Sequence, residues 1–439
     1  MSKWKRLAVA ALWLAGLILV AVGALLNDPY LAIVRGRAPT LIVVTSVLVV
    51  SWLVWRRSWR EGWITGRLLL ALWCIVPLGM VASKLTFQIR KAEVLAANGP
   101  QAEEMGRHFM IGYHRAQDIA PLVAKGLIGG VYVSHRNIKG RTAAELKAEI
   151  ASFQSMRRAA GLPSLIVAAD QEGGIVSHLS PQLTALPALA TLAELPRNER
   201  LRQATGFGRT HGRELADLGV TMNFAPVLDM RESGERHRFD FNSLIGRRAI
   251  SNDPAVVSEI ASAYTAGLRE FDVGATVKHF PGLGRVAADT HHFRARLDTP
   301  VDELEKTDWL PFRDLLKQPE TNLMIGHVAL DAIDPDRAAS HSKRVVNDLV
   351  RETWGYQGVI VTDDMVMGAV YQHDICAATV EALNAGVDLL LVAFDGTQFY
   401  RIFTCAMAAA NEGRLDRRML DKSNQRLNGL APRQTASAR

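Results

Sequence analysis

The sequence predicts an α/β fold, namely a (β/α)8 TIM-type barrel preceded by N-terminal transmembrane helices. Short, continuous apolar runs recur through residues 105–430, and segments with a helical pattern lie between them. Continuous apolar runs are typical of parallel strands that are buried on both faces. Longer uncharged apolar runs within residues 1–83 predict the membrane-spanning part.

Residues 1–83 contain three apolar runs, which predict a membrane anchor of two or three transmembrane helices. The first, Leu7–Leu26, has the length needed to cross a bilayer. Ala38–Trp55 follows closely, and a weaker run extends from Leu68 to about Ala82 with Pro77 inside it. A signal peptide is one alternative for the first run, but no clear cleavage site follows it and a second run comes soon after. A buried helical hairpin of a soluble protein is the other alternative.

The distribution of Lys and Arg predicts the orientation of these runs. The N-terminus and the segment between the second and third runs are basic, whereas the segment between the first and second carries only Arg35 and Arg37. By the positive-inside rule, the two basic segments are cytoplasmic. Three crossings then place the chain after Lys84 outside the cytoplasm, whereas two would leave it inside. We expect a multi-pass protein of the inner (cytoplasmic) membrane with a periplasmic catalytic domain.

The composition of the 439-residue chain narrows its possible partners. The formal net charge is +7, but the basic residues are scattered and form no patch interleaved with aromatic residues. We therefore predict no nucleic-acid partner. Cys74, Cys376 and Cys405 have no metal-binding spacing and indicate no disulfide framework, so the last two are interpreted as small buried residues. The oligomeric state is left unknown.

Eight apolar runs are the predicted barrel strands. They are Phe109–Ile111, Gly130–Val133, Leu165–Ala168, Thr221–Phe224, Ala275–Lys278, Leu323–Gly326, Gly358–Val361 and Asp388–Val392. Helical segments such as Pro254–Phe271 and Ala377–Gly386 lie between them, and Asp253 is a suitable N-cap for the first. Eight such units fit a (β/α)8 barrel, with a doubly wound open sheet as the alternative. Residues 84–104 are predicted to be a polar helical linker and residues 431–439 a disordered tail.

Polar residues follow several of these runs directly, where an enzyme built on a barrel places its site. Asp170 follows the third run, Lys278 and His279 end the fifth, His327 follows the sixth and Asp363 follows the seventh. Because the carboxyl ends of parallel barrel strands share one face, we expect these side chains to lie together.

Asp363 is a candidate for attack on an anomeric carbon or for stabilising an oxocarbenium-like transition state. Its neighbour Asp364 points to the opposite side of a strand, so only one of the two can face the barrel mouth. The alternative is that either residue caps the helix that follows.

Asp289 and His291 lie two residues apart in a glycine-bearing loop after Lys278–Gly284. This spacing lets the carboxylate hold one ring nitrogen while the other faces a substrate, where it can protonate a leaving oxygen and later deprotonate water. Alternatively, Asp289 caps the next segment and the histidines are solvated. A zinc site of His279, His291 and His292 is possible by residue type, but its spacing matches no standard motif.

Two further groups are candidates for binding a ligand. Asp170 opens the segment Asp170–Gly174, whose acidic and amide side chains can hold sugar hydroxyls while its glycines allow close approach. Arg248 can bind a carbonyl or carboxylate of a ligand. An acidic turn and a solvated or ion-paired arginine are the respective alternatives.

Taken together and in this order, these segments resemble the bacterial β-N-acetylhexosaminidases of glycoside hydrolase family 3. The resemblance covers roughly residues 105–430. The matching segments are Asp170–Gly174, Asn223–Asp229, Ile245–Arg248, Lys278–Gly282, Asp289–His291 and Val361–Asp364. Each segment alone is a weak indication, but the ordered set is specific.

The resemblance implies a retaining two-step hydrolysis that removes non-reducing terminal β-linked N-acetylglucosamine from peptidoglycan fragments or a related amino-sugar glycan. It implies that Asp363 is the nucleophile and that His291, paired with Asp289, is the acid/base. It further implies that the terminal sugar is contacted by Asp170, Arg248, Lys278 and His279. No metal or organic cofactor is implied, and the predicted partners are a glycan substrate and the lipid bilayer.

The chain departs from the family pattern in three places. His178 stands where the family usually has an arginine that contacts the sugar, which puts the identity of the substrate in doubt. Family members of Gram-negative bacteria are usually cytoplasmic, whereas this chain has predicted membrane spans. The charged segment Arg231–Phe241 is a candidate active-site insertion. Phosphorolysis, β-glucosidase activity and a catalytically silent sugar-binding protein of the envelope are the alternative functions.

Overall fold

The computed structural model of the chain describes residues 3–32, 35–55, 63–231, 244–286, 288–371 and 374–430. The chain forms two compact units, Met1–Ala96 and Ala97–Arg439. The predicted tail, residues 431–439, and all but the first residue of the candidate insertion lie outside the described residues.

The first unit contains three long helices, α1 (Lys3–Ala24), α2 (Ala38–Trp55) and α3 (Trp63–Ala96). Helices α1 and α3 pack against each other, and the indole Nε1 of Trp73 donates a hydrogen bond to the carbonyl of Leu12 at 3.2 Å. The predicted third run is therefore part of a helix that continues well past Ala82.

The composition and exposure of these helices agree with contact with lipid. Arg6–Ala24 and Gly66–Ala96 are long and apolar enough to cross a membrane, and Ala38–Leu53 is a shorter apolar helix. Most of the large apolar side chains that the described residues expose belong to this unit. A helix that is apolar all round is typical of a membrane span or of the core of a large protein. The number of crossings stays a prediction.

The second unit alternates strands and helices. Its strands are β1 (Phe109–Gly112), β2 (Gly130–Val133), β3 (Ile166–Ala169), β4 (Gln171–Gly173), β5 (Val176–Ser177), β6 (Met222–Asn223), β7 (Gly274–Phe280), β8 (Ala295–Leu297), β9 (Thr321–Ile325), β10 (Val328–Leu330), β11 (Asp334–Ala338), β12 (Ile360–Asp364) and β13 (Leu389–Val392). Its helices are α4 (Pro100–Gly106), α5 (Ala116–Ala124), α6 (His135–Ile138), α7 (Ala143–Ala159), α8 (Arg197–Leu218), α9 (Ile245–Arg248), α10 (Pro254–Arg269), α11 (Val301–Lys306), α12 (Trp309–Leu315), α13 (Gly368–Tyr371), α14 (Ile375–Ala385), α15 (Phe399–Asn411) and α16 (Arg417–Gly429). A π-helix spans Arg344–Thr353.

Eight strands form a closed parallel barrel in the order β1-β13-β12-β9-β7-β6-β3-β2. The barrel closes where β1 pairs with β13, with Phe109 opposite Leu390. This pairing confirms the predicted TIM-type barrel and excludes the doubly wound open sheet, whose edge strands would be unpaired. The predicted strands coincide with the observed ones within a few residues, because buried strands of a parallel barrel require apolar side chains on both faces.

Small sheets extend the carboxyl end of the barrel. Strands β4 and β5 form a hairpin directly after β3, while β8, β10 and β11 form a three-stranded sheet. Strand β8 follows the segment that contains His291, and its neighbour β10 follows His327. Both sheets therefore fix the bases of the loops that carry candidate site residues.

Helices α8 and α10 approach each other closely through glycine. A Cβ atom added at Gly208 would lie 2.0 Å from the carbonyl oxygen of Tyr264, and one added at Gly267 would lie 2.4 Å from that of Thr205. The predicted helix at Pro254 is confirmed, and the carboxylate of Asp253 caps it by accepting a hydrogen bond from the Ala255 amide at 2.9 Å.

The prediction for two of the cysteines was wrong. Cys376 on α14 and Cys405 on α15 form a disulfide, with their Cα atoms 5.4 Å apart, whereas Cys74 is free and exposed. The sequence separation of 29 residues carries no recognisable pattern, since it reflects two consecutive helices that pack side by side. The sequence does not reveal which faces of those helices meet.

Candidate active site

Asp363 lies near the end of β12, at the carboxyl end of the barrel, and is partly buried. One of its carboxylate oxygens accepts a hydrogen bond from the amide of Asp364 at 2.8 Å. Burial opposes ionisation, but the electrostatic interactions with His279, His327 and His291 and the hydrogen bond from the Asp364 amide outweigh it and lower the pKa of Asp363 below its usual range. The site thus contains a carboxylate that is ionised near neutral pH and surrounded by imidazoles.

Both carboxylate oxygens of Asp364 accept hydrogen bonds from backbone amides. Its Oδ1 accepts hydrogen bonds from the amides of Ala393 at 2.9 Å and Val366 at 3.2 Å, and its Oδ2 accepts one from Phe394 at 2.7 Å. Burial raises the pKa of Asp364 to about 6, and these amides oppose that rise. The side chain ties the end of β12 to the loop after β13, so Asp363 is the member of the pair that is left for chemistry.

Asp289 and His291 form the predicted dyad. The Nδ1 atom of His291 lies 2.9 Å from Oδ1 of Asp289, which also accepts the His291 amide at 3.0 Å. The Asp289 side chain is fully buried, whereas 40% of the His291 side chain is exposed. Because a buried carboxylate accepts from Nδ1–H, the imidazole is oriented and Nε2 is left as the nitrogen for proton transfer.

The pKa of His291 is raised above its usual value. Burial lowers the pKa, but the hydrogen bond with Asp289 and the negative charges of Asp363 and Asp289 raise it more. The imidazole therefore keeps its proton to a higher pH than an isolated histidine. This is the protonation state that a general acid needs before it reacts.

The backbone of the loop that carries His291 is attached to the segment after β12. The amide of Gly368 donates to the carbonyl of His291 at 2.8 Å, and the amide of Ala369 donates to that of Thr290 at 3.3 Å. Since Gly368 lies only five residues after Asp363, these two bonds bring the histidine loop to the strand that carries the nucleophile candidate.

Four charged side chains form a buried network on the other side of the barrel mouth. Lys278 forms ion pairs with Asp170 and with Glu172, the latter at 2.6 Å. Arg248 binds Glu172 through two hydrogen bonds, from Nε at 3.0 Å and from Nη2 at 2.6 Å. Two carboxylates and two cations balance, so each group stays charged in a site where an unpaired charge would be costly.

The network keeps Asp170 available as an anion. Burial disfavours its ionised form, but the charges of Lys278 and His178 and the hydrogen bonds from Lys278 and Tyr132 lower the pKa of this carboxyl. Burial likewise opposes the charge on Lys278, and its two carboxylate partners raise its pKa. Of the two predicted ligand-binding groups, Asp170 keeps acceptor capacity, whereas the fork of Arg248 is largely taken by Glu172.

His279 is oriented from behind by Asp229. Its Nδ1 lies 2.6 Å from Oδ2 of Asp229, and Oδ1 of the same carboxylate accepts the amide of Leu283 at 2.7 Å. On its other side, Nη2 of Arg248 lies 3.3 Å from Nε2 of His279. Because the guanidinium only donates, Nε2 accepts and the proton resides on Nδ1. Both ring nitrogens of His279 therefore have hydrogen-bond partners within the described residues.

His327 supports the same strand end. Its Nδ1 lies 2.7 Å from Oγ of Ser340, and its Nε2 lies 3.0 Å from the carbonyl oxygen of Asp364. Burial lowers its pKa more than Asp363 raises it, so the imidazole stays neutral. Within the described residues, no group of three or more His, Cys, Asp or Glu side chains is placed to hold a metal ion.

The structure brings all seven predicted site residues to one end of the barrel and adds three that the sequence did not single out. Glu172 joins the two basic residues, Asp229 orients His279, and the hydroxyl of Tyr132 lies 2.7 Å from Oδ2 of Asp170. Glu172 and Asp229 both lie inside segments that resemble the family, and this resemblance was the signal in the sequence that could have identified them. Tyr132 lies in an apolar strand, where a tyrosine is normally interpreted as a residue of the hydrophobic core.

Known proteins resemble this chain over the barrel. The Glycosyl hydrolase family 3 N terminal domain matches residues 100–430. A β-hexosaminidase of Nitrosomonas eutropha is 36% identical over 273 residues, which are 61% of this chain and 74% of that protein. A solved glycosyl hydrolase of the same family from Mycobacterium smegmatis superposes with a TM-score of 0.67 at 29% identity, over 77% of this chain and 98% of that one. A family 3 β-N-acetylglucosaminidase from a Paenibacillus species gives 0.68 at 28% identity, over 76% and 62%.

Proposed function

Because the chain belongs to glycosyl hydrolase family 3, we propose that its barrel is a retaining exo-glycosidase that releases non-reducing terminal β-linked N-acetylglucosamine. The family and the relatives identify a glycoside hydrolase of the β-N-acetylhexosaminidase type. The observation that carries the finer proposal is an ionised, partly buried Asp363 in the electrostatic field of a histidine that a buried carboxylate orients.

In the first step, a carboxylate oxygen of Asp363 attacks the anomeric carbon as the bond from that carbon to the leaving oxygen breaks. His291 gives its Nε2 proton to the leaving oxygen, and Asp289 stabilises the proton that remains on Nδ1. The products are a glycosyl ester on Asp363 and the free aglycone. The raised pKa of His291 and the lowered pKa of Asp363 supply both required protonation states together.

In the second step, His291 works in the opposite direction. Its Nε2, now unprotonated, takes a proton from a water molecule, whose oxygen attacks the anomeric carbon and releases Asp363. Two displacements at one carbon return the β configuration. The histidine takes the role of the second carboxylate that most glycosidases use. Its hydrogen bond with Asp289 stabilises the imidazolium form.

The sugar itself is held by the network opposite Asp363. Asp170 presents an ionised carboxylate that pairs with Lys278, while Arg248 pairs with Glu172 and also contacts His279. Their mutual pairing holds the groups before the sugar arrives, so little reorganisation is needed on binding. The proposed chemistry uses only side chains of this chain.

We place the catalytic unit outside the cytoplasm, anchored in the inner membrane by the N-terminal helices. Two independent features support this side. The distribution of basic residues favours it if three helices cross, and the Cys376–Cys405 disulfide belongs to an oxidising compartment. An enzyme there meets cell-wall glycans directly, so its proposed substrates are peptidoglycan fragments or a related amino-sugar polymer.

The proposal is tested by comparing the full-length protein in detergent with its Asp363→Asn variant on 4-nitrophenyl N-acetyl-β-glucosaminide. The amide keeps the shape of the side chain but cannot act as the nucleophile, so kcat should fall roughly a thousandfold or more. The melting temperature should be nearly unchanged. Proton NMR of the first product should show the β anomer. An initial α anomer would refute retention, and equal rates for the two proteins would refute the role of Asp363.

A further inference from the structure

Gln171 lies between the two carboxylates of the charged network and is itself fully buried. Successive residues of an extended chain point to opposite sides. Asp170 and Glu172 therefore face the same way, and both form ion pairs with Lys278. The side chain of Gln171 points to the other side, into the fold. Any rotation or shift of the peptide at Gln171 moves both carboxylates at once.

The polar groups of Gln171 are all bound within the fold. In the side chain, Oε1 accepts a hydrogen bond from the amide of Leu179 at 3.1 Å, and Nε2 donates one to Oγ of Ser180 at 2.9 Å. In the backbone, the amide donates to Oδ1 of Asn223 at 3.0 Å, and the carbonyl accepts from Nδ2 of Asn223 at 2.9 Å. The amide of Gln171, which the sequence suggested for sugar hydroxyls, fixes its own segment instead.

The side chain of Asn223 extends the pairing of two barrel strands. Asn223 ends β6, and its partner on β3 is Ala169. Two residues later in the chain, the backbone groups of Gln171 are bound by the carboxamide of Asn223, which supplies one acceptor and one donor as a peptide of a neighbouring strand would. Because the nitrogen of a carboxamide only donates, the Gln171 amide fixes which way this side chain is turned.

The second proton on Nδ2 of Asn223 is held from the helices outside the barrel. It is donated to the hydroxyl oxygen of Tyr264 at 3.0 Å, and this hydroxyl also lies 3.3 Å from the carbonyl oxygen of Gln171. On its outer side, the hydroxyl lies 2.9 Å from Nδ1 of His211. Tyr264 on α10 and His211 on α8 are both buried, at the close contact between these two helices. Helix packing thus sets the position of the Asn223 carboxamide.

We propose, on the basis of the function proposed above, that Asn223 and Tyr264 are positioning residues for sugar binding. Both are fully buried, so they act through the peptide of Gln171 and not by touching the sugar. Without the Tyr264 hydroxyl, the carboxamide of Asn223 is free to turn, and the two carboxylates on either side of Gln171 lose their fixed spacing. The effect falls on sugar affinity, because the proposed nucleophile and acid/base lie on other segments.

Tyr264→Phe tests this proposal in the full-length protein in detergent, with 4-nitrophenyl N-acetyl-β-glucosaminide as substrate. KM should rise about tenfold while kcat changes less than about threefold. The inhibition constant of free N-acetylglucosamine, a competitive inhibitor that fills the same network, should rise by the same factor. Tyr356→Phe is the matched control, because it removes a buried hydroxyl that donates to the carbonyl of Thr321 at 2.7 Å, at the amino end of the barrel. It should lower the melting temperature but leave both constants unchanged.

Asn223→Asp is the second variant. It keeps the acceptor for the Gln171 amide but places an acceptor against the Gln171 carbonyl, so KM should rise about thirtyfold or more. Asn322→Asp is its control, since it removes the donor to a strand carbonyl, that of Ala275 at 3.1 Å, at the amino end of the barrel. An unchanged KM in either folded site variant, or an equal rise in a variant and its control, would overturn the inference alone. A folded wild type that does not cleave the glucosaminide would overturn the proposed function and the inference with it.

Discussion

At the scale of single residues, the proposed mechanism requires one proton on His291 and none on Asp363. The two groups lie in each other's field, so the negative carboxylate raises the pKa of the imidazole and the imidazole lowers that of the carboxyl. Asp289 adds a hydrogen bond that only the protonated Nδ1 can donate. Between the two pKa values, the proposed acid and the proposed nucleophile are both in their reactive forms.

Asp289→Asn tests this assignment through the pH dependence. The variant keeps an acceptor near Nδ1 but loses the negative charge that raises the pKa of His291. Since the alkaline limb of kcat/KM reports loss of the His291 proton, that limb should move to lower pH. The acid limb, which reports protonation of Asp363, should move much less, because Asp289 is not among the main causes of its lowered pKa.

Asp253→Asn provides a control that also exchanges an aspartate for its amide but affects only the cap of α10, so its pH profile should follow the wild type. An alkaline limb that stays in place in Asp289→Asn would show that Asp289 does not set the pKa of the catalytic acid.

At the scale of secondary-structure elements, the strands could be predicted because each is a continuous apolar run buried on both faces. The seven candidate site residues could be singled out because they follow such runs or lie in recognisable loops. What the sequence could not supply are pairings across elements. Tyr132 reaches Asp170 from the neighbouring strand, Asp229 reaches His279 from the segment that follows β6, and Cys376 bonds to Cys405 between two helices. These contacts depend on the register and rotation of elements, which no local pattern encodes.

The contact between α8 and α10 gives a stability prediction for one element. Gly208→Ala would place a Cβ atom 2.0 Å from a backbone oxygen of α10, so the helices must separate. Overpacking of this kind costs about 1–3 kcal/mol, which outweighs the gain in helix propensity. The urea concentration at which half of the catalytic unit is unfolded, measured by tryptophan fluorescence, should fall.

Gly206, two residues earlier in α8, is the matched control. It is exposed, and a Cβ atom there would meet nothing within 4 Å. Gly206→Ala should therefore be neutral or stabilise the protein by up to about 1 kcal/mol through helix propensity. If both variants were equally stable, the close approach of α8 and α10 would not be a real constraint.

At the scale of the whole molecule, the chain combines an apolar helical unit with a catalytic barrel. The family match covers residues 100–430 and leaves the first three helices outside it. The proposed membrane anchor would restrict the enzyme to glycans near the bilayer surface. The side of the membrane then decides whether intact wall material or imported fragments are within reach.

The side of the membrane can be measured in spheroplasts of cells that make the full-length protein. External protease should degrade the barrel unit while a cytoplasmic marker stays intact, because the barrel is proposed to lie outside. After denaturation without reductant, maleimide should label Cys74 but not Cys376 or Cys405. A barrel that is protected until the membrane is broken, with all three thiols reactive, would place the catalytic unit in the cytoplasm.

The assignment of Asp363 and His291 is tested most directly by trapping the covalent intermediate. In His291→Ala, an aryl N-acetyl-β-glucosaminide with a good leaving group should still glycosylate Asp363, because such a group departs without an acid. Hydrolysis of the ester needs the missing base, so the intermediate should accumulate. Mass spectrometry of peptides from the quenched reaction should find one N-acetylhexosaminyl group on Asp363. An adduct on another residue, or rapid turnover without any adduct, would contradict the proposed mechanism.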